Sequence, residues 1–134
     1  LDPHLFLRYS KVIVEQGALF AHDASRFVPL GTDTIKDVFM ASFIANLYKF
    51  FAIFSPAVTI EYIDVIYPVV TFVVGLFFFF LLVRRLFDWK VGLVATGFLA
   101  FIPAFLYRTM AGFSDHEALG VMLMFMAMYF FIRG

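Results

Sequence analysis

The feature that most constrains this sequence is an apolar run from residue 65 to residue 83, which holds 19 residues and no charged side chain. A helix that spans a bilayer needs about 20 such residues. Two further apolar segments follow, at residues 91–107 and 118–132. Of the 134 residues, 63% are hydrophobic and only 15% are charged, whereas a soluble domain carries about 25% charged residues. The pattern predicts an all-α, multi-pass integral membrane protein with about three spans.

A fourth apolar stretch, residues 38–54, differs because Asn46 and Lys49 interrupt it. A lysine at the centre of a bilayer costs about 2.5 kcal/mol or more. Together with Ser42, these polar residues recur at spacings of four and three, which places them on one face of a helix. The stretch is therefore predicted to form an amphipathic helix that lies at the membrane interface.

The first third of the chain contains the glycines and prolines that bound shorter elements. We expect a helix from about Pro3 to Gln16, ended by Gly17, and Thr32 or Asp33 as the N-cap of the interfacial helix. The sequence is predicted to divide into an external loop with interfacial helices, residues 1–62, and a transmembrane part, residues 63–134.

The charges between the first two predicted spans indicate their orientation. Arg84, Arg85 and Lys90 lie in this short link, and cytoplasmic loops carry an excess of basic residues. With the link in the cytoplasm, two spans separate Asp2 from the segment 108–117. Both are then expected on the external face of the cell membrane.

Several classes of protein are excluded by composition. The formal net charge is zero, so no basic surface favours nucleic acid as a partner. There is no cysteine, which excludes disulfides and thiolate chemistry. Residues 1–36 lack the basic flank and apolar run of a signal peptide, so none is expected there, and we expect the chain to be a piece of a longer protein.

Acidic residues next to an apolar segment mark the first candidate site. Asp115 and Glu117 precede the third predicted span, where carboxylates are costly and tend to be functional or paired. In one interpretation Ser114 is the N-cap of a helix and Glu117 completes a capping box. In the other, Asp115 and Glu117 converge on Mg²⁺ or Mn²⁺ in a non-helical turn, with His116 as a weaker candidate. Two carboxylates leave such a site incomplete, and Asp2 is the candidate for a third.

Arg108 ends the second predicted span, seven residues before Asp115. It is either an interfacial arginine whose charge reaches water or a ligand for phosphate, which its planar fork suits. Pro103 is expected to kink the span just before it.

Two motifs together resemble the catalytic subunit of N-linked oligosaccharyltransferase. The segment DPHLFLR, from Asp2 to Arg8, is similar to the first acidic motif of that family. The segment RTMAGFSDHEALG, from Arg108 onward, is similar to the second, and the spacing from Arg108 to Asp115 agrees with it. The resemblance extends over the whole chain, and the form SDHE resembles the archaeal type.

The resemblance implies a function and a set of site residues. Members of the family transfer a glycan from a dolichol-linked phosphate or pyrophosphate donor to the Asn of Asn-x-Ser/Thr sequons in a polypeptide, with inversion. Carried onto this sequence, Asp2, Asp115 and Glu117 hold a divalent metal, Mn²⁺ or Mg²⁺, and Arg108 faces the donor phosphate. Further helices and a soluble domain of the family have no counterpart in these residues. This piece alone is therefore expected to be inactive.

Three other interpretations remain open. A transporter would place charges at the centres of spans, whereas here they lie at the ends. A related polyprenyl-phosphate-sugar glycosyltransferase, such as a protein O-mannosyltransferase, typically has an adjacent acidic pair where this chain has Asp2 and Pro3. A purely structural membrane subunit would use the acids only as helix caps.

Overall fold

The computed structural model describes residues 2–134, without the side chains of Asp2, Pro3 and Lys36. The chain divides into two compact units, Leu1–Asp64 and Val65–Gly134. The elements of the first are α1 (Asp2–Gln16), β1 (His22–Asp23), β2 (Thr32–Asp33), a 3-10 turn (Ile35–Asp37) and α2 (Val38–Phe54). Helix α3 (Ile60–Leu86) leads into the second, where α4 (Trp89–Phe101), α5 (Pro103–Arg108) and α6 (His116–Arg133) follow.

The core of the first unit lies between α1 and α2. Tyr9 and Ile13 of α1 pack against Ala41 and Ala45 of α2, and all four are buried. The two alanines are one helical turn apart, so they form a shallow stripe that lets the other helix approach closely. The Ser10 hydroxyl donates to the Ala41 carbonyl at 3.1 Å, which fixes the two helices in register.

Helix α1 ends as the sequence predicts. Its last residue is Gln16, and Gly17 adopts φ +81° while its N–H donates to the Ile13 carbonyl at 3.0 Å. This left-handed conformation is accessible to glycine at little cost, which explains why the helix stops there.

The start of α2 differs from its predicted cap. Thr32 and Asp33 pair with β1 in a short antiparallel hairpin, so neither is at the end of the helix. The 3-10 turn intervenes, and Asp37 occupies the N-cap position without a side-chain cap hydrogen bond. Asp37 instead accepts a hydrogen bond from Arg26 at 2.9 Å. The predicted extent of α2, residues 38–54, is confirmed.

Two helices of the second unit are long and apolar enough to cross a membrane. Helix α3 has 27 residues and contains an 18-residue segment with a mean hydropathy of 2.6, and α6 has 18 residues with a mean hydropathy of 1.3. They contain the first and third predicted spans. The second predicted span is interrupted at Ile102, because Pro103 begins a new helix; the kink expected at Pro103 is confirmed as a break. Helices α2 and α4 are apolar but shorter.

Aromatic contacts join the helices of the second unit. Phe72 of α3 lies 5.1 Å from Phe105 of α5, and Phe79 of α3 lies 5.0 Å from Phe125 of α6, between ring centroids. Such pairs add to the packing that holds helices together where the hydrophobic effect is weak. Helix α3 is thus the element against which α5 and α6 are positioned.

Candidate functional site

The guanidinium of Arg108 brings the predicted acidic residues together. Arg108 is the last residue of α5, and the loop that follows leads back to the start of α6. Its Nε lies 3.0 Å from Glu117 Oε2, and its Nη1 lies 3.6 Å from Asp115 Oδ2. Asp115 is almost completely buried, at 5% side-chain exposure, whereas Arg108 is 52% exposed. The half-exposed guanidinium of Arg108 therefore lies next to both carboxylates.

Asp115, not Ser114, is the N-cap of α6. Its backbone is extended, and its Oδ1 accepts a hydrogen bond from the His116 N–H at 2.7 Å. The Nδ1 of His116 lies 2.6 Å from the same oxygen. The capping box expected from Ser114 to Glu117 is therefore wrong, because the helix begins one residue later. Capping occupies one carboxylate oxygen of Asp115 and leaves the other toward Arg108.

Helix α3 holds the loop before α6 at two points. The Tyr67 hydroxyl donates to the Asp115 carbonyl at 2.8 Å, and the Gly112 N–H donates to the Val65 carbonyl at 3.0 Å. Gly112 has φ +81°, a conformation that costs glycine little and other residues more. The position of Asp115 is thus set by the first turns of the longest apolar helix.

An apolar cavity of about 560 Å³ opens beside the ion pairs. Its walls come from α5 and the start of α6, with Phe105 and Val121 among them. The polar residues of its lining are Arg108, Thr109, His116 and Glu117. This volume lies in the range of about 300–1,000 Å³ that small-molecule sites occupy. The cavity can accept an apolar chain with a polar group next to the guanidinium.

The predicted metal ligands are only partly described. Asp115 and Glu117 lie on either side of Arg108, while His116 contacts Asp115 and is otherwise exposed. The side chain of Asp2 lies outside the described residues. Among the described residues, no group of three or more acids, histidines or cysteines is placed to hold a metal ion. The two carboxylates fit a hard cation such as Mg²⁺ or Mn²⁺ in donor type, and a further ligand has to come from elsewhere.

The first unit contains a buried aspartate that the sequence did not reveal. Asp23, 2% exposed, accepts hydrogen bonds from Arg8 Nη2 at 3.1 Å, from the Tyr9 hydroxyl at 2.9 Å and from both the N–H and hydroxyl of Ser25. Arg8 and Tyr9 belong to α1, so Asp23 joins the first motif to the hairpin. The sequence offered one indication of such a residue. Arg8 in the first motif is a cation that can pair with an acid elsewhere in the chain.

Burial by itself raises the pKa of Asp23, because it disfavours the charged form. Hydrogen bonds from Ser25, Arg8 and Tyr9 outweigh burial and hold the pKa of this carboxyl well below its usual range. Each of these donors stabilises the ionised form. Asp23 is thus ionised at neutral pH, and its charge holds α1 against the hairpin.

Comparison with known proteins identifies the family of the chain. Neither the curated proteins nor the solved structures contain a significant match to this chain. Residues 1–134 match the family described as "Oligosaccharyl transferase STT3, N-terminal". The matched residues include both acidic motifs. The mostly helical fold and its apolar helices suit a membrane protein. The match favours the oligosaccharyltransferase over the transporter and structural interpretations. On this evidence the chain belongs to the oligosaccharyl transferase STT3 family.

Proposed function

We propose that this chain is the N-terminal part of an archaeal-type catalytic subunit of N-linked oligosaccharyltransferase. It would act in the cell membrane, with its acidic motifs on the external face. The reaction is the transfer of a glycan from a dolichol-linked phosphate or pyrophosphate to the amide nitrogen of Asn in an Asn-x-Ser/Thr sequon. The observation that carries the proposal is the cluster of Arg108, Asp115 and Glu117, which lies at the second motif of a chain that belongs to this family.

The first task of such a site is to activate a poor nucleophile. An amide nitrogen shares its lone pair with the carbonyl, so it attacks carbon only when that conjugation is weakened. Asp115 and Asp2 are proposed to accept the two N–H bonds of the acceptor amide. The nitrogen then attacks the anomeric carbon of the glycan from the face opposite the phosphate, the bond from that carbon to the phosphate oxygen breaks, and the configuration inverts. A carboxylate accepts the amide proton.

The second task is to stabilise the leaving phosphate. Arg108 lines an apolar cavity with about half of its surface exposed, so its free N–H groups are proposed to donate to the phosphate oxygens of the lipid-linked donor. Guanidinium groups bind phosphate in a bidentate manner. Donors fixed before the reaction stabilise the charge that develops on the leaving group. The apolar wall of the cavity suits the isoprenoid next to that phosphate.

A divalent ion, Mn²⁺ or Mg²⁺, is proposed as the cofactor, held by Asp2, Asp115 and Glu117. When bound, it supplies positive charge next to the leaving phosphate. Support for this comes from the donor set, since the carboxylates of Asp115 and Glu117 both lie within 3.6 Å of the Arg108 guanidinium and are therefore close to each other. Asp2 is included because of its place in the first motif.

The test uses the full-length protein, a lipid-linked oligosaccharide and a fluorescent peptide with one Asn-x-Thr sequon. Asp115→Asn and Glu117→Gln are each expected to lower the rate of transfer by about 10²–10³-fold, an effect as large as the loss of one preorganised stabilising group from an active site. Glu15→Gln is the matched control, because Glu15 is an exposed acid without an ion pair in the described part of the chain. Unchanged transfer by Asp115→Asn would refute the proposed site.

Two further measurements separate the metal from the fold. Binding of Mn²⁺ to the full-length protein, followed by electron paramagnetic resonance, is expected to weaken in Asp115→Asn and Glu117→Gln but not in Glu15→Gln. The anomeric configuration of the glycopeptide, determined by NMR, is expected to be inverted relative to the donor. Retained configuration, or equal Mn²⁺ affinity in all variants, would contradict the corresponding part of the proposal.

A further inference from the structure

The last turn of α3 carries two arginines, Arg84 and Arg85, at the end opposite to the acidic cluster. Val65 and Tyr67, at the start of the second unit, contact the loop of residues 112–115. Arg84 lies 19 residues after Val65 in the same helix, which corresponds to about 28 Å. This length matches the hydrocarbon thickness of a bilayer, about 30 Å. In a membrane, Arg84 and Arg85 are therefore at the level of the lipid head groups of the other leaflet.

These two arginines differ in their partners from three of the other four arginines in the sequence. Arg8, Arg26 and Arg108 each have a carboxylate oxygen within 3.1 Å. Within the described residues, neither Arg84 nor Arg85 forms an ion pair, and both are exposed. At the level of the head groups, the phosphates of lipids are the anions within reach of an unpaired guanidinium.

The nearest acid in sequence is already used. Asp88 caps α4, where its Oδ1 accepts a hydrogen bond from the Trp89 N–H at 2.6 Å. The carbonyl end of α3 adds a partial negative charge of about half a unit, which is smaller than the two full positive charges of the guanidinium groups. The last turn of α3 thus keeps a net positive charge.

The arginines also border a cavity. It has a volume of about 380 Å³ and is lined by Leu81, Arg84, Arg85 and Tyr129. The two guanidinium groups and the Tyr129 hydroxyl are hydrogen-bond donors of the kind that phosphate oxygens accept. Leu81 supplies an apolar wall toward the membrane side. Basic pockets at the ends of membrane helices, next to apolar side chains, bind the head groups of anionic lipids.

We propose that Leu81, Arg84, Arg85 and Tyr129 form a binding site for the phosphate head group of an anionic membrane phospholipid. The site is independent of the transfer reaction, because none of its residues belongs to the acidic cluster. It holds a structural lipid between the last turns of α3 and the part of α6 that carries Tyr129.

The experiment measures lipid affinity by native mass spectrometry of the full-length protein in detergent. Phosphatidylglycerol is the anionic probe, and phosphatidylcholine of the same acyl chains is the control lipid. Each basic residue near an anionic surface contributes about a fivefold increase in affinity. The double variant Arg84→Gln/Arg85→Gln is therefore expected to bind phosphatidylglycerol about thirtyfold more weakly. Tyr129→Phe is expected to lose about fivefold.

The matched control removes two cations that do not line the cavity. Lys90 follows Arg85 by five residues, and Arg133 follows Tyr129 by four. The double variant Lys90→Gln/Arg133→Gln has the same change in net charge. We expect its affinity for phosphatidylglycerol to fall by less than about sixfold, compared with about thirtyfold for the cavity variant. Equal losses in the two double variants would mean a diffuse charge effect and would overturn the site. Preference for inorganic phosphate over phosphatidylglycerol, or no preference between the two lipids, would also overturn it. Thermal unfolding of each variant checks that the fold is retained.

Discussion

The two units each contain a buried aspartate next to an arginine, and the two aspartates are used differently. Asp23 has hydrogen-bond donors on both of its carboxylate oxygens, from Arg8, Tyr9 and Ser25. Asp115 uses one oxygen for the cap of α6, and its other oxygen lies 3.6 Å from Arg108, beyond hydrogen-bond length. A saturated carboxylate stabilises a fold, whereas one with an oxygen available can exchange partners. Asp23 is therefore a structural anion, whereas Asp115 keeps an oxygen available for the role that we propose for it.

The largest expected effect on stability comes from removal of the Asp23 carboxylate. Asp23→Ala leaves Arg8 and Tyr9 without their anion, and loss of one partner of a buried pair costs about 3–5 kcal/mol. Because Arg8 is 46% exposed, we expect the lower end, about 3 kcal/mol. Thermal unfolding of the full-length protein in detergent measures the change.

Asp33→Asn is the control for this variant, since Asp33 is 81% exposed and its loss is expected to cost less than about 1 kcal/mol. The comparison between the units fails if Asp23→Ala is as stable as Asp33→Asn. It also fails if Asp115→Asn unfolds at a lower temperature than Asp23→Ala.

The pH dependence of stability distinguishes the charge of Asp23 from its shape. Its pKa is depressed in the folded state, because burial is outweighed by hydrogen bonds from Ser25, Arg8 and Tyr9. The carboxylate therefore contributes stability above the ordinary aspartate pKa of about 4, and this contribution is lost as the pH falls toward the folded-state pKa. Between about pH 5 and pH 3, a range centred on the ordinary aspartate pKa, we expect the free energy of unfolding to fall more steeply in the wild type than in Asp23→Asn. Parallel unfolding curves would show that Asp23 acts without its charge.

The smallest effect tests how Asp115 is held. Tyr67→Phe removes the hydrogen bond to the Asp115 carbonyl, which is worth about 1 kcal/mol. Transfer is expected to slow by about tenfold because Asp115 is less well positioned. Tyr62→Phe serves as the comparison, since Tyr62 is exposed near the start of the same helix. Equal transfer rates in the two variants would show that Tyr67 does not position the site.

The sequence predicts those parts of the molecule that depend on one-dimensional patterns. The long apolar segments became α3 and α6, and Gly17 and Pro103 interrupted helices where expected, because their backbone preferences are local. The meeting of Arg108 with Glu117 was not predictable from spacing, since it depends on the loop that reverses direction between α5 and α6. Asp115 rather than Ser114 became the cap, and its backbone carbonyl accepts a hydrogen bond from Tyr67, 48 positions away, which no local pattern predicts.

The hairpin and its buried acid were the hardest to predict. Strands of two residues carry no periodicity, so the pairing of Thr32 with Asp23 has no signal in the sequence. An aspartate in a polar loop is usually exposed, and Asp23 is buried only because Arg8 and Tyr9 of α1 reach it. Tertiary contacts of this kind decide which of several acids becomes a structural anion.

The break at Ile102 makes α5 a short helix that can change its angle to α4. The six residues of α5 make a rod of about 9 Å, joined to α4 by one residue with extended backbone and carrying Arg108 at its far end. A rotation of the rod by about 20°, the size at which a bend counts as a sharp kink, moves that end by about 3 Å. Such a displacement is as long as the gap between Arg108 and Glu117. A rotation of this size at one residue therefore suffices to bring the guanidinium into contact with the Glu117 carboxylate or to separate the two groups.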